Sequence, residues 1–152
     1  MSTICYISKG DKTLLLYRNK KKNDVHEGFW LGLGGEIERG ESVEECAKRV
    51  VFEKTGFRIS NMRMCGVVSS SSFYVDEEWL MFLFSCGDFT GELIDSNEGT
   101  LEWVETDKMM ELPMWEGDYV YLDWMKQNKF FSANMVHKDK KLISHEVIFY
   151  GN

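Results

Sequence analysis

Residues 34–57 read GGEIERGESVEECAKRVVFEKTGF. A glycine loop, a helix start and a helix stop follow one another here, and the rest of the chain is arranged around them. Glycines at 32, 34, 35 and 40 let the backbone take positive φ and approach other groups closely, so residues 31–40 read as a folded loop rather than a strand. Ser42-Val43-Glu44-Glu45 is a capping box, in which the Ser42 hydroxyl and the Glu45 carboxylate satisfy backbone donors at a helix N-terminus. The helix is expected to begin near Val43 and to end at Gly56, which suits the left-handed position after a last turn. Val43, Ala47, Val50 and Val51 form its apolar stripe, while Glu45, Arg49 and Glu53 recur every fourth residue on another face.

On these residues the stretch resembles the Nudix box of the MutT/Nudix hydrolases. That pattern runs Gly, five residues, Glu, seven residues, Arg-Glu, a large apolar residue, any residue, Glu-Glu, any residue, Gly and a large apolar residue. Gly35, Glu41, Arg49, Val51, Glu53, Gly56 and Phe57 fall in register with it, whereas Val50 and Lys54 stand where the family carries glutamates. The resemblance implies a Nudix-type α/β/α sandwich with a mixed central β-sheet. It also implies a metal site, because the family's glutamates gather Mg²⁺, or alternatively Mn²⁺, which bridges the phosphates of a nucleotide and needs hard oxygen ligands. By the same resemblance Glu53, Glu98 and the Gly35 carbonyl are the metal-ligand candidates, and Arg49 and Glu41 orient the box. Lys54 is expected to contact phosphate directly as a point charge.

The two departures make the local charge more positive by three units, one at Val50 and two at Lys54. Each charge contact beside a metal is worth on the order of 4 kcal/mol at ~4 Å and an effective dielectric of ~20. Bare-metal binding is therefore expected to be much weaker than in a complete box, while a nucleoside triphosphate brings its own Mg²⁺.

The remaining composition bounds the function. A chain of 152 residues suits one domain, 1–152, and buries roughly 70% of its unfolded surface. Cys5, Cys46, Cys65 and Cys86 are scattered without a close pair, which points to small buried hydrophobes in a reducing cytosol. Residues 1–12 show no targeting pattern and no apolar run nears a membrane span, so a cytoplasmic location away from membranes is expected. A net charge of −7 disfavours long nucleic-acid polymers and leaves a small nucleotide as the expected partner.

Along the chain, residues 3–8 and 12–17 read as a β-hairpin around Lys9-Gly10-Asp11. Residues 18–24 are the most basic segment, either a solvated loop or a phosphate-facing rim. His26 reads as a surface residue, and Phe29-Trp30 as either a nucleotide-pocket wall or packing under the glycine loop. Residues 57–68 read as extended, the serines at 69–72 as a loop, and residues 79–86 as a central strand, apolar on both faces. Residues 87–91 are expected to turn, 92–94 to form a short edge, and 101–104 a strand after the Glu98 loop. Short helices are expected at 106–112, before the only proline, and at 119–127; strands at 130–137 and 141–150 form a last hairpin around residues 138–140, with His145 on a strand face.

The pairing of Asn97-Glu98-Gly99-Thr100 with Trp115-Glu116-Gly117-Asp118 resembles the MutT subgroup that clears oxidised purine nucleotides. The resemblance implies that Trp115 stacks on the base and Asp118 reads its edge, with 8-oxo-dGTP or a similar modified purine as substrate. The activity so implied is Mg²⁺-dependent pyrophosphohydrolysis, giving nucleoside monophosphate and pyrophosphate. A Nudix-fold protein that binds nucleotide without efficient hydrolysis is the alternative, and ADP-ribose and capped RNA remain open as substrates. The sequence leaves the oligomeric state open.

Overall fold

A computed structural model describes residues 1–20, 26–72, 78–139 and 141–151. Its strands are β1 (Ser2–Lys9), β2 (Lys12–Tyr17), β3 (Trp30–Leu31), β4 (Leu33–Glu36), β5 (Arg58–Ser60) and β6 (Arg63–Ser72). They continue as β7 (Glu78–Cys86), β8 (Asp88–Thr90), β9 (Thr100–Glu105), β10 (Phe130–Lys138) and β11 (Lys141–Tyr150). Helix α1 spans Val43–Thr55 and α2 spans Glu116–Met125, with a 3₁₀ helix at Thr106–Glu111. The main sheet runs β11-β10-β6-β7-β1-β2-β3, with β4 added on β1 and β9 on β2. It is mixed, because β1 with β7 and β6 with β10 are parallel while the other pairs are antiparallel.

Strand periodicity divides the side chains between two cores. Cys5 and Ile7 of β1, Leu14 and Leu16 of β2, and Phe84 and Cys86 of β7 join Ala47 and Val51 of α1. The intervening residues Tyr6, Leu15 and Leu83 join Tyr121, Leu122 and Trp124 of α2 on the opposite side. Alternate residues of a strand point to opposite faces, so the period-2 pattern produces the α/β/α sandwich. Val51 is wholly buried, and burial of a side chain of that size contributes about 1.5–3 kcal/mol.

Helix α1 has the ends its sequence specifies. The Ser42 hydroxyl accepts from Glu45 N at 3.1 Å, Glu45 Oε1 accepts from Ser42 N at 3.3 Å, and Gly56 closes the helix at φ 81°. All four cysteines are buried thiols, and His145 lies edge-on to Trp124, with ring centroids 5.6 Å apart.

Several expectations are corrected. The glycine stretch is partly extended, since β4 pairs Gly34 and Gly35 with Ile4 and Thr3. Glycine there serves close approach: a Cβ on Gly35 would lie 2.7 Å from Val50 Cγ2. The serines at 69–72 continue β6, because β7 and β10 both pair with that strand and satisfy its backbone whatever the side chains. Ser69 Oγ also donates to Asn134 Oδ1 at 2.9 Å. The extended stretch after α1 divides into β5 and β6 around Asn61, which takes φ 52°. Within the expected turn at 87–91, β8 pairs with β5 in a separate two-stranded sheet, whereas residues 92–94 form no strand. β7 lies between β6 and β1 as expected, but its opening residues Glu78 and Trp79 are exposed. Helix α2 begins at Glu116, so Trp115 is its N-cap residue and Asp118 lies in its first turn. Residues 21–25 of the basic segment and Lys140 of the last turn lie outside the described residues.

Ser42→Ala removes one half of a reciprocal cap and is expected to lower unfolding free energy by about 1 kcal/mol, measured by urea titration. An unchanged midpoint would show that Glu45 and water suffice at that helix start.

Candidate active site

The box is held together by Arg49. Its Nε donates to Glu41 Oε2 at 2.6 Å and its Nη2 to Glu41 Oε1 at 3.1 Å, a two-point fork. Nη2 also donates to the Glu36 carbonyl at 2.9 Å, while Nη1 lies 3.4 Å from Glu53 and 3.6 Å from Glu38. One side chain on α1 therefore fastens β4 and the 37–42 loop to the helix. Hydrogen bonds from the Arg49 guanidinium and from Glu38 N hold the Glu41 carboxyl down at about 2, and Glu41 in turn pushes Arg49 up.

A second cluster forms where the last turn of α1 meets the loop before β9. Lys54 Nζ donates to the Gly34 carbonyl at 2.5 Å and lies 3.5 Å from Glu98 Oε2. The same carboxylate oxygen meets Arg18 Nη1 at 3.0 Å, and the three side chains are 12–20% exposed. Lys20 holds the neighbouring loop residues, donating to Asp95 Oδ1 at 2.8 Å and to the Ser96 carbonyl at 2.7 Å. Glu53, Lys54, Asp95, Ser96, Asn97 and Glu98 line an open cavity of about 440 Å³.

The aromatic cluster lies at the start of α2. Trp115 Nε1 donates to His26 Nδ1 at 2.9 Å, and the Phe29 ring is 5.3 Å from the Trp115 ring. Burial pushes the Asp118 carboxyl up to about 7, against a smaller downward pull from its hydrogen bond with Tyr121. Tyr121 shares a 2.7 Å hydrogen bond with Tyr6 on the central strand. Arg18 joins the two clusters: its guanidinium meets Glu98, while its backbone exchanges hydrogen bonds with Phe29 and Gly28.

The structure thus brings Glu41, Arg49 and Glu53 together, and separately groups Lys54 with Glu98 and Trp115 with Phe29. The carbonyl that reaches the Lys54 cluster belongs to Gly34, while the Gly35 carbonyl faces the Cys46 thiol at 3.9 Å. Lys54 donates to the Gly34 carbonyl and pairs with Glu98. Arg18 was singled out only as part of a basic run; a lone Arg at the end of β2 carries no signal of its partner eighty positions away. Tyr6 and Tyr121, which meet in a 2.7 Å hydrogen bond, carried no such mark either.

These residues do not fit a resident divalent ion. An ammonium already lies between the Gly34 carbonyl and Glu98, Val50 offers no oxygen, and Glu53 is turned to Arg49. Among the described residues no three His, Cys, Asp or Glu side chains are placed to hold a metal.

A glycine loop, a capped helix and a charged return loop stand on a mixed sheet between two helical layers. The chain belongs to the Nudix family: the NUDIX domain pattern matches residues 1–125. It is 34% identical over 131 residues to the uncharacterized Nudix hydrolase YvcI of Bacillus subtilis, covering 84% of this chain and 79% of that one. It is 28% identical over 128 residues to an oxidized purine nucleoside triphosphate hydrolase of Danio rerio, with the same coverage. The crystal structure of a mutator MutT protein from Bacillus halodurans superposes with a TM-score of 0.86 at 31% identity, over 96% of this chain and 95% of that one. No helix among the described residues is long and apolar enough to cross a membrane.

Asp118 makes stability depend on pH in a stated direction. Its folded value of about 7 lies above the ordinary 3.8, so folding takes up a proton between them. Its contribution is fully present below about 4 and is lost as pH rises to about 7. Asp118→Asn is expected to flatten the thermal midpoint across that window relative to the parent chain. Parallel profiles for the two proteins would place the Asp118 titration elsewhere.

Proposed function

We propose that the chain takes an oxidised purine nucleoside triphosphate such as 8-oxo-dGTP and cleaves it slowly to nucleoside monophosphate and pyrophosphate. The observation that carries this is the pairing of Trp115 with Phe29, with Asp118 in the first turn of the helix that Trp115 caps, joined through Arg18 to the cavity at Lys54 and Glu98. An indole and a phenyl ring offer a base two apolar surfaces. A carboxyl that titrates near 7 can either donate to a purine edge or accept from it, which is the means to separate an oxidised base from its parent. The Danio rerio relative named for oxidised purine triphosphates supports the substrate class. Clearance of damaged nucleotides from the cytoplasmic pool is the role that follows.

The chain's own contributions are positional. Arg49 and Glu41 keep the glycine loop on α1, and Arg18 keeps the base cluster in register with the cavity. A divalent ion carried in on the nucleotide's own phosphates would supply charge neutralisation for the leaving pyrophosphate. A second reading has its own support: with Val50 and Lys54 in place of carboxylates, the chain binds nucleotide as a sensor without efficient hydrolysis.

Pyrophosphate release from 8-oxo-dGTP, dGTP and ADP-ribose at saturating Mg²⁺, compared with the Val50→Glu/Lys54→Glu double variant, separates these readings. The parent is expected to release pyrophosphate from 8-oxo-dGTP, and the variant to do so roughly 100-fold faster, the effect of ~3 kcal/mol of restored charge stabilisation. Activity in the variant alone would favour the sensor, and silence in both would sink the substrate assignment. Trp115→Ala is expected to reduce the preference for 8-oxo-dGTP over dGTP; unchanged selectivity would remove Trp115 from the base pocket.

A further inference from the structure

We infer that the Lys54 ammonium is the resident cation of this box, taking the position between helix, glycine loop and acidic loop that a divalent ion would otherwise hold. Three segments meet at its Nζ. The side chain rises from the last turn of α1, donates to the Gly34 carbonyl of β4 at 2.5 Å, and lies 3.5 Å from Glu98 in the loop before β9. These are the contacts by which a bound ion would tie the same segments together.

The surroundings are fitted to a tethered monovalent charge. Glu98 Oε2 is shared by Lys54 and by Arg18 at 3.0 Å, so two positive groups face one carboxylate oxygen. A free divalent ion arriving at that oxygen meets both of them, and their charges oppose its approach. Magnesium also asks for near-octahedral oxygen ligation, with carboxylates as its usual protein anchors. Here one anchor position is Val50, buried against Gly35, and Glu53 is drawn toward Arg49 at 3.4 Å. An ammonium is a compact charge with three rotatable donors and needs no such polyhedron.

The acidic loop is held by protein cations throughout. Lys20 secures Asp95 and the Ser96 carbonyl, Arg18 and Lys54 secure Glu98, and Glu98 N donates to Ser96 Oγ at 3.2 Å. Protein side chains thus bridge the segments around the cavity at Glu53 and residues 95–98. The inference concerns the protein alone and stands whichever nucleotide the pocket takes.

The test uses the whole chain without nucleotide. Mn²⁺ binding is followed by electron paramagnetic resonance, and the thermal midpoint is measured in EDTA and in excess Mg²⁺, for the parent and for Lys54→Glu. The parent is expected to bind no stoichiometric Mn²⁺ and to melt at the same temperature in both solutions. Lys54→Glu is expected to bind one Mn²⁺ and to gain a midpoint that rises with Mg²⁺. Stoichiometric Mn²⁺ in the parent would overturn the inference. So would the absence of binding in a folded Lys54→Glu, since removing the occupant would then expose no cation site. Should Lys54→Glu not fold, Lys54→Gln substitutes for it, with Mn²⁺ affinity expected at least tenfold above the parent; equal affinities would overturn the inference. Pyrophosphate release plays no part in this readout, so its outcome is separate from that of the substrate assignment.

Discussion

The close seating of the glycine stretch on strand β1 is the constraint on which the site depends. A Cβ at Gly32 would lie 2.8 Å from both Ile4 Cγ2 and the Tyr6 ring, and one at Gly34 would lie 3.1 Å from the Thr3 carbonyl. Only bare backbone fits there, and the fit delivers β4 to α1. Arg49 then locks the arrangement with its fork on Glu41 and its bond to the Glu36 carbonyl. Tyr6, pressed against the stretch from one side, reaches Tyr121 of α2 on the other face of the sheet from α1. The two halves of the candidate site are therefore both referred to one central strand.

Electrostatics gives the halves different characters. Around Glu98 the side chains form ion pairs, with Lys54 and Arg18 sharing one oxygen. Around Asp118, burial favours the neutral acid, and tyrosines rather than cations are its neighbours. The first arrangement is an ion-paired site open to an adjoining cavity, and the second a buried hydrogen-bonding group away from it.

Local order was legible in the sequence wherever the determinants are local. The capping box, the Gly56 cap, the hairpin at Gly10 and the apolar run of β7 all rest on neighbours within a few positions. The serines at 69–72 misled because composition reports what a side chain prefers, while pairing partners on both edges decide a strand. β8 escaped notice for a similar reason: its three residues are a strand only because β5 lies beside them. Within the site, the box register was plain, but the use of the Gly34 rather than the Gly35 carbonyl depends on which peptide faces α1 once β4 has paired with β1. Nor could spacing announce that Lys54 would turn inward, because its partner Glu98 belongs to a distant loop.

The parallel pairing of β1 with β7 carries a consequence for how the chain acquires its shape. Ser2 to Ile7 must meet Met81 to Cys86, a loop closure of roughly 80 residues, and such non-local pairings are slow to form. The first hairpin and the box helix have only local requirements and can assemble early. During synthesis on the ribosome, however, the inner edge of β1 stays unpaired until residue 86 has emerged. The segment that seats the glycine stretch is thus made well before its partner strand and is among the last to be completed, and that interval is when its edge is exposed to other chains.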